Sequence, residues 1–192
     1  MPKLAKENAF SERIEAIKAM LKKTDGKALI LFNDMREIAK FREAVERDEQ
    51  LKRWRILYEG DQEITQLIST FQHDIDSVLC AMSLWEGLDI PGDALKNIII
   101  WSLPFPPDDP VFIARRKNRN DPYWEIDVPY MLLRLRQGIG RLIRNHSDRG
   151  YVTILDEQLY EDKKLYDTVV RVIPEGVKIY KNMTEMGKRT ND

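Results

Sequence analysis

Three arginines and a glutamine recur at helical spacing between positions 134 and 144. They are Arg134, Gln137, Arg141 and Arg144, at i, i+3, i+7 and i+10, so a helix over residues 129–144 places them on one polar stripe. Apolar side chains fall on the opposite side of the same helix: Met131, Leu132, Leu135, Ile139, Leu142 and Ile143. Guanidiniums and an amide suit bidentate recognition of phosphate. The stripe therefore predicts an anion site, and a solvated charged face is the alternative that the stripe alone leaves open.

Alternating strand and helix patterns surround this stripe and must position it. Short continuous apolar runs predict strands at 27–32, 53–58, 78–82, 97–102 and 150–155. Helical periodicity predicts helices over 9–23, 35–47 and 62–71, the first capped by Ser11 and ended by Asp25-Gly26. A short strand-like segment follows at 177–180. This alternation predicts an α/β fold with a mostly parallel sheet covered by helices on both faces, whose ligands gather at the carboxyl ends of the strands.

Composition limits the class of protein. The 192 residues fit one domain with a full core, and 31 basic against 32 acidic residues leave a net charge of −1. No overall field then attracts nucleic acid or a membrane, so any nucleic-acid surface must be local. The single cysteine, Cys80, lies in an apolar run and is predicted to be buried, which excludes a disulfide or a cysteine-ligated metal within this chain.

The amino terminus gives no targeting signal. It is too polar for a secretion signal, and no run approaches the roughly 18 apolar residues that suggest a membrane span. We therefore expect a cytoplasmic location and no membrane partner.

Three segments of the chain resemble motifs of one protein family. The stretch 137–144 reads Gln-Gly-Ile-Gly-Arg-Leu-Ile-Arg and resembles motif VI of superfamily 2 helicases, in the form found in the DinG/XPD branch. Residues 83–93, Ser-Leu-Trp-Glu-Gly-Leu-Asp-Ile-Pro-Gly-Asp, resemble motif V of that branch. Residues 103–110, Leu-Pro-Phe-Pro-Pro-Asp-Asp-Pro, resemble the proline-rich segment that follows it. The resemblance covers residues 27–160 and implies a RecA-like C-terminal helicase domain, which we place at 1–183. The polar tail at 184–192 is expected to fray.

The resemblance implies roles for both motifs. Arg141 and Arg144 would act as arginine fingers at the γ-phosphate of ATP, and Gln137 would link the nucleotide to the domain interface. Motif V would contribute residues where the nucleotide and nucleic-acid sites meet: Glu86, Gly87 and Asp89. Ordinary turn acids are the alternative for the two carboxylates.

Two further segments are candidates for nucleic-acid contact. Asn33 ends the strand at 27–32 and matches the family's motif IV region. A basic cluster after the proline-rich segment lies beside Tyr123 and Trp124, and it consists of Arg115, Arg116, Lys117 and Arg119. Cations next to aromatic rings are typical of single-strand binding, whereas a solvated helix and loop is the other interpretation.

Motifs that the chain lacks also carry information. The sequence contains neither a Gly-x-x-x-x-Gly-Lys-Ser/Thr phosphate loop nor an Asp-Glu-x-His magnesium motif. The resemblance implies that an N-terminal RecA-like domain carries both, often with an iron–sulfur cluster, so ATP and Mg²⁺ would be shared between domains and no metal would be bound by this chain alone. The opening Met1-Pro2-Lys3 fits a segment taken from a longer protein, and a natural stand-alone protein is the alternative.

The sequence therefore predicts the C-terminal motor domain of a DinG-like, ATP-dependent DNA helicase that moves on single-stranded DNA. The full-length protein is expected to hydrolyse ATP and the isolated chain is not. An RNA or mixed-substrate helicase of the same fold is one alternative. A noncatalytic nucleic-acid or protein adaptor that kept the fold is the other.

Overall fold

Five parallel strands lie at the centre of this computed structural model, which describes residues 3–74, 76–85, 95–140, 150–174 and 178–180, with side chains from residue 9 onward. The strands are β1 (Ala28–Leu31), β2 (Ile56–Tyr58), β3 (Val78–Ala81), β4 (Asn97–Ile100) and β5 (Tyr151–Ile154). Their order in the sheet is β2-β3-β1-β4-β5. Every pairing among these described strands is parallel, with Ala28 level with Val78 on one side and Asn97 on the other. The predicted parallel sheet is confirmed.

Helices alternate with the strands along the chain. They are α1 (Lys3–Thr24), α2 (Met35–Arg47), α3 (Ile64–His73), α4 (Pro110–Arg116), α5 (Val128–Ile139), α6 (Gln158–Glu161) and α7 (Lys163–Val170). A 3₁₀ turn at Leu51–Arg53 follows α2, and a π-helical turn at Tyr123–Asp127 leads into α5.

The sheet separates two apolar cores because alternate strand residues face opposite sides. In β1, Leu29 and Leu31 face one core, and Ala28 and Ile30 face the other. The first, called here the α5 core, is closed by apolar residues of α3, α5 and α7: Leu67, Phe71, Met131, Leu135, Ile139, Leu165 and Val169. The second, the α1 core, is closed by α1 and α2 through Ile14, Ile17, Leu21, Ile38, Phe41 and Val45. Helices thus cover both faces of the sheet, as the sequence predicts.

The turn between α1 and β1 depends on a glycine. Asp25 and Gly26 have φ of 55° and 73°, and the Gly26 N–H donates to the Leu21 carbonyl at 3.0 Å. A Cβ at position 26 would lie 2.3 Å from the carbonyl oxygen of Asp76. The predicted helix stop at Asp25-Gly26 is confirmed, since this backbone conformation and close approach favour glycine.

Two predicted features at the ends of the chain are wrong. Ser11 is not an N-cap, because α1 begins at Lys3 and Ser11 lies inside it. Good helix formers such as Ala5 and Lys6 extend the helix beyond the apolar spacing that predicted its start. At the other end, the described part of the predicted strand 177–180 is not a strand. Tyr180 instead packs a half-buried ring against the α1 core.

Candidate functional site

The end of α5 packs closely against the ends of two strands. Gly138 is buried in α5, and a Cβ there would lie 3.2 Å from Cε3 and 3.3 Å from Cζ3 of Trp85, and 3.4 Å from Cδ1 of Leu31. Leu31 is the last residue of β1, and Trp85 lies four residues beyond the end of β3. A glycine at position 138 therefore brings the first residues of the motif VI segment onto the carboxyl edge of the sheet.

The predicted orientation of this helix is confirmed over its described length. Met131, Leu135 and Ile139 are at most 2% exposed, whereas Gln137 is exposed on the other side. The helix ends at Ile139 with Gly140 as its C-cap. The rest of the predicted helix, with the candidate fingers Arg141 and Arg144, lies outside the described residues.

Arg134, the first member of the predicted stripe, lies against two aromatic rings. Its guanidinium carbon lies 5.3 Å from the ring centroid of Trp85 and 5.7 Å from that of Tyr130. Cation–π contacts of this kind hold the guanidinium against aromatic faces. The guanidinium of Arg134 therefore covers the ring of Trp85, whether or not it also contacts an anion.

The residues that begin the motif V segment are fixed from two sides. Oε2 of Glu59 accepts hydrogen bonds from the backbone N–H groups of Met82 at 2.6 Å and Ser83 at 2.9 Å. The indole N–H of Trp85 donates to the carbonyl of Phe32 at 3.0 Å. The start of the segment is therefore held by β2 and β1, while Glu86, Gly87 and Asp89 lie outside the described residues.

Asn33 connects β1 to β4 within the fold. Its side-chain Nδ2 lies 2.8 Å from the Leu103 carbonyl, 3.1 Å from the Ser102 carbonyl and 3.0 Å from Ser102 Oγ. Its backbone N–H donates to Glu37 at 3.1 Å, and Ser102 Oγ donates to the same carboxylate. The amide hydrogens of Asn33 thus brace two strand ends, which leaves no side-chain donor for a phosphate. Its assignment to nucleic-acid binding stays a prediction.

A buried carboxylate positions the start of the proline-rich segment. Asp156 is 4% exposed; its Oδ2 accepts from the Leu103 N–H at 2.8 Å and its Oδ1 from the Gln158 N–H at 3.0 Å. Sequence reasoning missed three carboxylates that brace the ends of strands: Glu37, Glu59 and Asp156. Glu59 lies one residue beyond β2 and Asp156 two residues beyond β5, and an acidic residue just beyond a strand is the signal that could have found these two.

The basic cluster is partly neutralised by neighbouring carboxylates. Arg116 donates from Nε to Asp127 at 2.8 Å and from Nη1 to Asp108 at 2.5 Å, and the hydrogen bond to Asp127 raises the pKa of Arg116. Nη1 of Arg119 lies 3.6 Å from Oε2 of Glu125. The two other cations, Arg115 and Lys117, are exposed, with Arg115 resting 5.1 Å from the centroid of Phe112.

The aromatic rings beside this cluster pack against one another. Phe105 and Tyr123 have ring centroids 5.7 Å apart, and Tyr123 and Trp124 are 5.4 Å apart at 90°. Nζ of Lys164 lies 3.7 Å from the centroid of Trp124. A base that stacks on this face of Trp124 would therefore first displace an ammonium group.

Two classes of feature do not occur within the described ranges. No helix there combines the length and apolar character needed to cross a bilayer. No group of three His, Cys, Asp or Glu side chains lies close enough together to hold a metal ion.

A family model described as the helicase C-terminal domain matches residues 17–176. The chain belongs to this family. This helicase C-terminal domain is 48% identical over 169 residues to the probable ATP-dependent helicase YpvA of Bacillus subtilis, covering 88% of this chain and 25% of YpvA. It is 44% identical over 110 residues to the ATP-dependent DNA helicase YoaA of Haemophilus influenzae, covering 54% of this chain and 17% of YoaA.

The helicase C-terminal domain also resembles DinG and XPD. It is 32% identical over 155 residues to the ATP-dependent helicase DinG of Mycobacterium tuberculosis H37Rv, covering 78% of this chain and 23% of DinG. A solved structure named XPD_APO superposes with a TM-score of 0.64 at 16% identity, covering 82% of this chain and 33% of that chain. The predicted resemblance to DinG/XPD-like helicases and the predicted RecA-like fold are confirmed. The chain spans about a quarter or less of the length of these three relatives.

Proposed function

We propose that this domain is the C-terminal half of the motor of a DinG-like helicase that uses ATP to move along single-stranded DNA. The observation that carries the proposal is the contact between Trp85 and Gly138, which joins the start of the motif V segment to the motif VI helix. The printed names of YpvA, YoaA and DinG as ATP-dependent helicases support it.

The proposed chemistry is phosphoryl transfer across a domain interface. Charge spreads over the γ-phosphate oxygens in the transition state, and arginines supplied from a facing domain stabilise that charge. We assign this role to Arg141 and Arg144, with Gln137 contacting the nucleotide from the exposed face of α5. An N-terminal RecA-like domain would supply the phosphate loop and the Mg²⁺ ligands. Binding of ATP would then draw the domains together, and hydrolysis would release them.

The proposed nucleic-acid surface lies on the basic cluster and its aromatic neighbours. Arg115 and Lys117 are exposed and are the first candidates for phosphate contacts. Arg116 and Arg119 are paired with carboxylates, so each would contact a phosphate only by sharing or exchanging its partner. Motif V, through Glu86, Gly87 and Asp89, would connect this surface to the ATP site.

ATP turnover tests the proposal in the full-length helicase, meaning this domain joined to its phosphate-loop domain. We expect hydrolysis to be stimulated by single-stranded DNA and much less by single-stranded RNA of the same length. Stronger stimulation by RNA would favour the RNA helicase. No turnover with either strand would refute the motor and favour the adaptor.

A further inference from the structure

Trp85 lies where three parts of the candidate site meet. It is fully buried (0% exposed), and it directly precedes Glu86-Gly87-Leu88-Asp89 in the chain. Its indole N–H donates to Phe32, one residue beyond β1, and its six-membered ring contacts Gly138 of α5. One side chain thus connects the motif IV region, the start of motif V and the motif VI helix.

The contact with α5 is close and is covered from the solvent side. The distances of 3.2 and 3.3 Å from a Cβ at position 138 to the ring leave no space between helix and indole. Arg134, one turn earlier on α5, places its guanidinium 5.3 Å from the same ring. A shift of the indole would therefore require α5 to move with it, because well-packed contacts transmit displacement.

The start of motif V is also held on its other side. Glu59 accepts both the Met82 and Ser83 N–H groups, so the backbone just before Trp85 is fixed to the end of β2. With Trp85 fixed to Phe32 and α5, the motif V segment leaves the sheet from a defined position. The neighbouring helix carries Gln137 next to the contact residue Gly138.

We propose that Trp85 is a positioning residue that couples nucleic-acid binding at motif V to ATP turnover at motif VI. This inference rests on the proposed function and adds to it the side chain that links the two sites. Trp85 contacts neither ATP nor nucleic acid in this mechanism. It keeps the motif V segment and the α5 helix in register, so that a strand bound at one is sensed at the other.

The test is Trp85→Phe in the full-length helicase. Phenylalanine keeps one aromatic ring, but it lacks the indole N–H that donates to Phe32 and the fused benzene ring of the indole that contacts Gly138. We expect the stimulation of ATP turnover by single-stranded DNA to fall at least tenfold. The KM for ATP and the Kd for DNA should each stay within about threefold of wild type. A role in folding alone would lower the melting temperature and leave the stimulation factor unchanged.

Trp101→Phe is the matched control. Trp101 is also a buried tryptophan (3% exposed), but it packs in the α1 core against Phe32 and Phe41, on the face of the sheet away from α5. We expect this variant to lose stability and to keep its stimulation by DNA. Equal stimulation factors in the two variants would overturn the proposal.

A second variant decides the outcome if Trp85→Phe does not fold. Arg134→Gln removes the guanidinium over Trp85 at a half-exposed position, and we expect the stimulation of ATP turnover by DNA to fall about threefold. Unchanged stimulation in Arg134→Gln would then refute the coupling. A wild-type protein that DNA does not stimulate would refute the proposed function itself, which is a different result.

Discussion

At the scale of single residues, truncating a side chain on the exposed face of α5 should have a different effect from truncating one on the buried face. Side chains on the exposed face can lose charge without opening a cavity, while those on the buried face are part of the α5 core. A pair of measurements, ATP turnover and stability, separates the two kinds of effect. The motif VI helix is therefore the best place to distinguish chemistry from folding.

The first prediction concerns the proposed fingers. In the full-length helicase, Arg141→Ala or Arg144→Ala should reduce ATP turnover by roughly 10³ to 10⁵ while ATP binding persists, because such arginines act on charge that develops in the transition state. Turnover and nucleotide affinity are measured for each variant. Arg136→Ala, an exposed arginine on α5, is the control and should keep activity. Equal losses in all three variants would contradict the specific role of Arg141 and Arg144.

The second prediction concerns the buried face. Leu135 is 0% exposed in the α5 core, so Leu135→Ala should destabilise the fold by about 2 to 5 kcal/mol through lost burial and the cavity left behind. Leu133, on the same helix, is 58% exposed, and Leu133→Ala should change stability by only about 0.5 kcal/mol or less. Urea midpoints of the isolated chain measure both. The reverse ranking would mean that the helix faces the other way.

At the scale of elements, α2 shows how a sequence signal fixes a helix start. The side chain of Asp34 accepts from the Arg36 N–H at 2.7 Å and pairs with the Arg36 guanidinium. The hydrogen bond from the Arg36 side chain is the largest cause that lowers the pKa of Asp34 to about 2. The ionised form is therefore favoured in the folded state.

The third prediction follows from this shift. A carboxyl whose pKa is lower in the folded state stabilises the fold above its unfolded pKa, near 3.8, and that stabilisation disappears as pH falls toward about 2. Asp34→Asn keeps an N-cap acceptor and does not titrate. Its urea midpoint should therefore fall less than that of wild type between pH 4 and pH 2, as measured by a pH series on both proteins. Parallel curves for the two proteins would contradict the assigned shift.

Sequence patterns within one segment predicted the secondary structure of that segment. They did not predict contacts between segments that are far apart in the chain. The bounds of α2 agree with the prediction because its N-cap, Asp34, directly precedes the segment and its apolar spacing lies within it. Ser11 fails as a cap because helix-forming residues before it carry no apolar period. The carboxylate braces of Glu59 and Asp156 join residues 23 and 53 positions apart, and no single-segment pattern encodes such pairs.

The same distinction applies to the candidate site. The side of α5 that faces the core was predictable from its 3.6-residue period, and so was the exposure of Gln137. The placement of Arg134 on Trp85 was not, because it depends on how α5 packs against the end of β3. The pairing of Arg116 with Asp108 and Asp127 likewise depends on the fold of the segment between β4 and α5.

At the scale of the whole molecule, the chain carries only part of the proposed ATP site. The fourth prediction is that the purified 192-residue chain does not hydrolyse ATP, with or without single-stranded DNA, because its sequence has no phosphate loop and no Asp-Glu-x-His motif. A phosphate-release assay on the isolated chain measures this. Turnover stimulated by DNA in this chain would contradict the shared-site mechanism.

The fifth prediction concerns binding of single-stranded DNA to the isolated chain. With a net charge of −1, attraction comes only from local cations, so binding should be weak and should decrease steeply as salt rises. Oligonucleotide titrations at low and high salt measure the dependence. Changing both Arg115 and Lys117 to Ala should reduce the salt slope by about 1 to 2, whereas Lys22→Ala, an exposed lysine on α1, should leave it unchanged. Affinity that does not respond to salt would contradict phosphate contacts by this cluster.

Cys80 gives the molecule a practical property. It is the chain's single cysteine, it lies in the central part of the sheet at 0% exposure, and burial raises the pKa of its thiol well above the usual value. Thiol reagents act on exposed thiolates, so the folded wild-type chain should resist maleimide dyes. A cysteine introduced at an exposed position such as Leu133 would then carry a fluorophore at one defined site. Movement of the α5 surface when the isolated chain binds single-stranded DNA can therefore be followed by fluorescence without first removing the native cysteine.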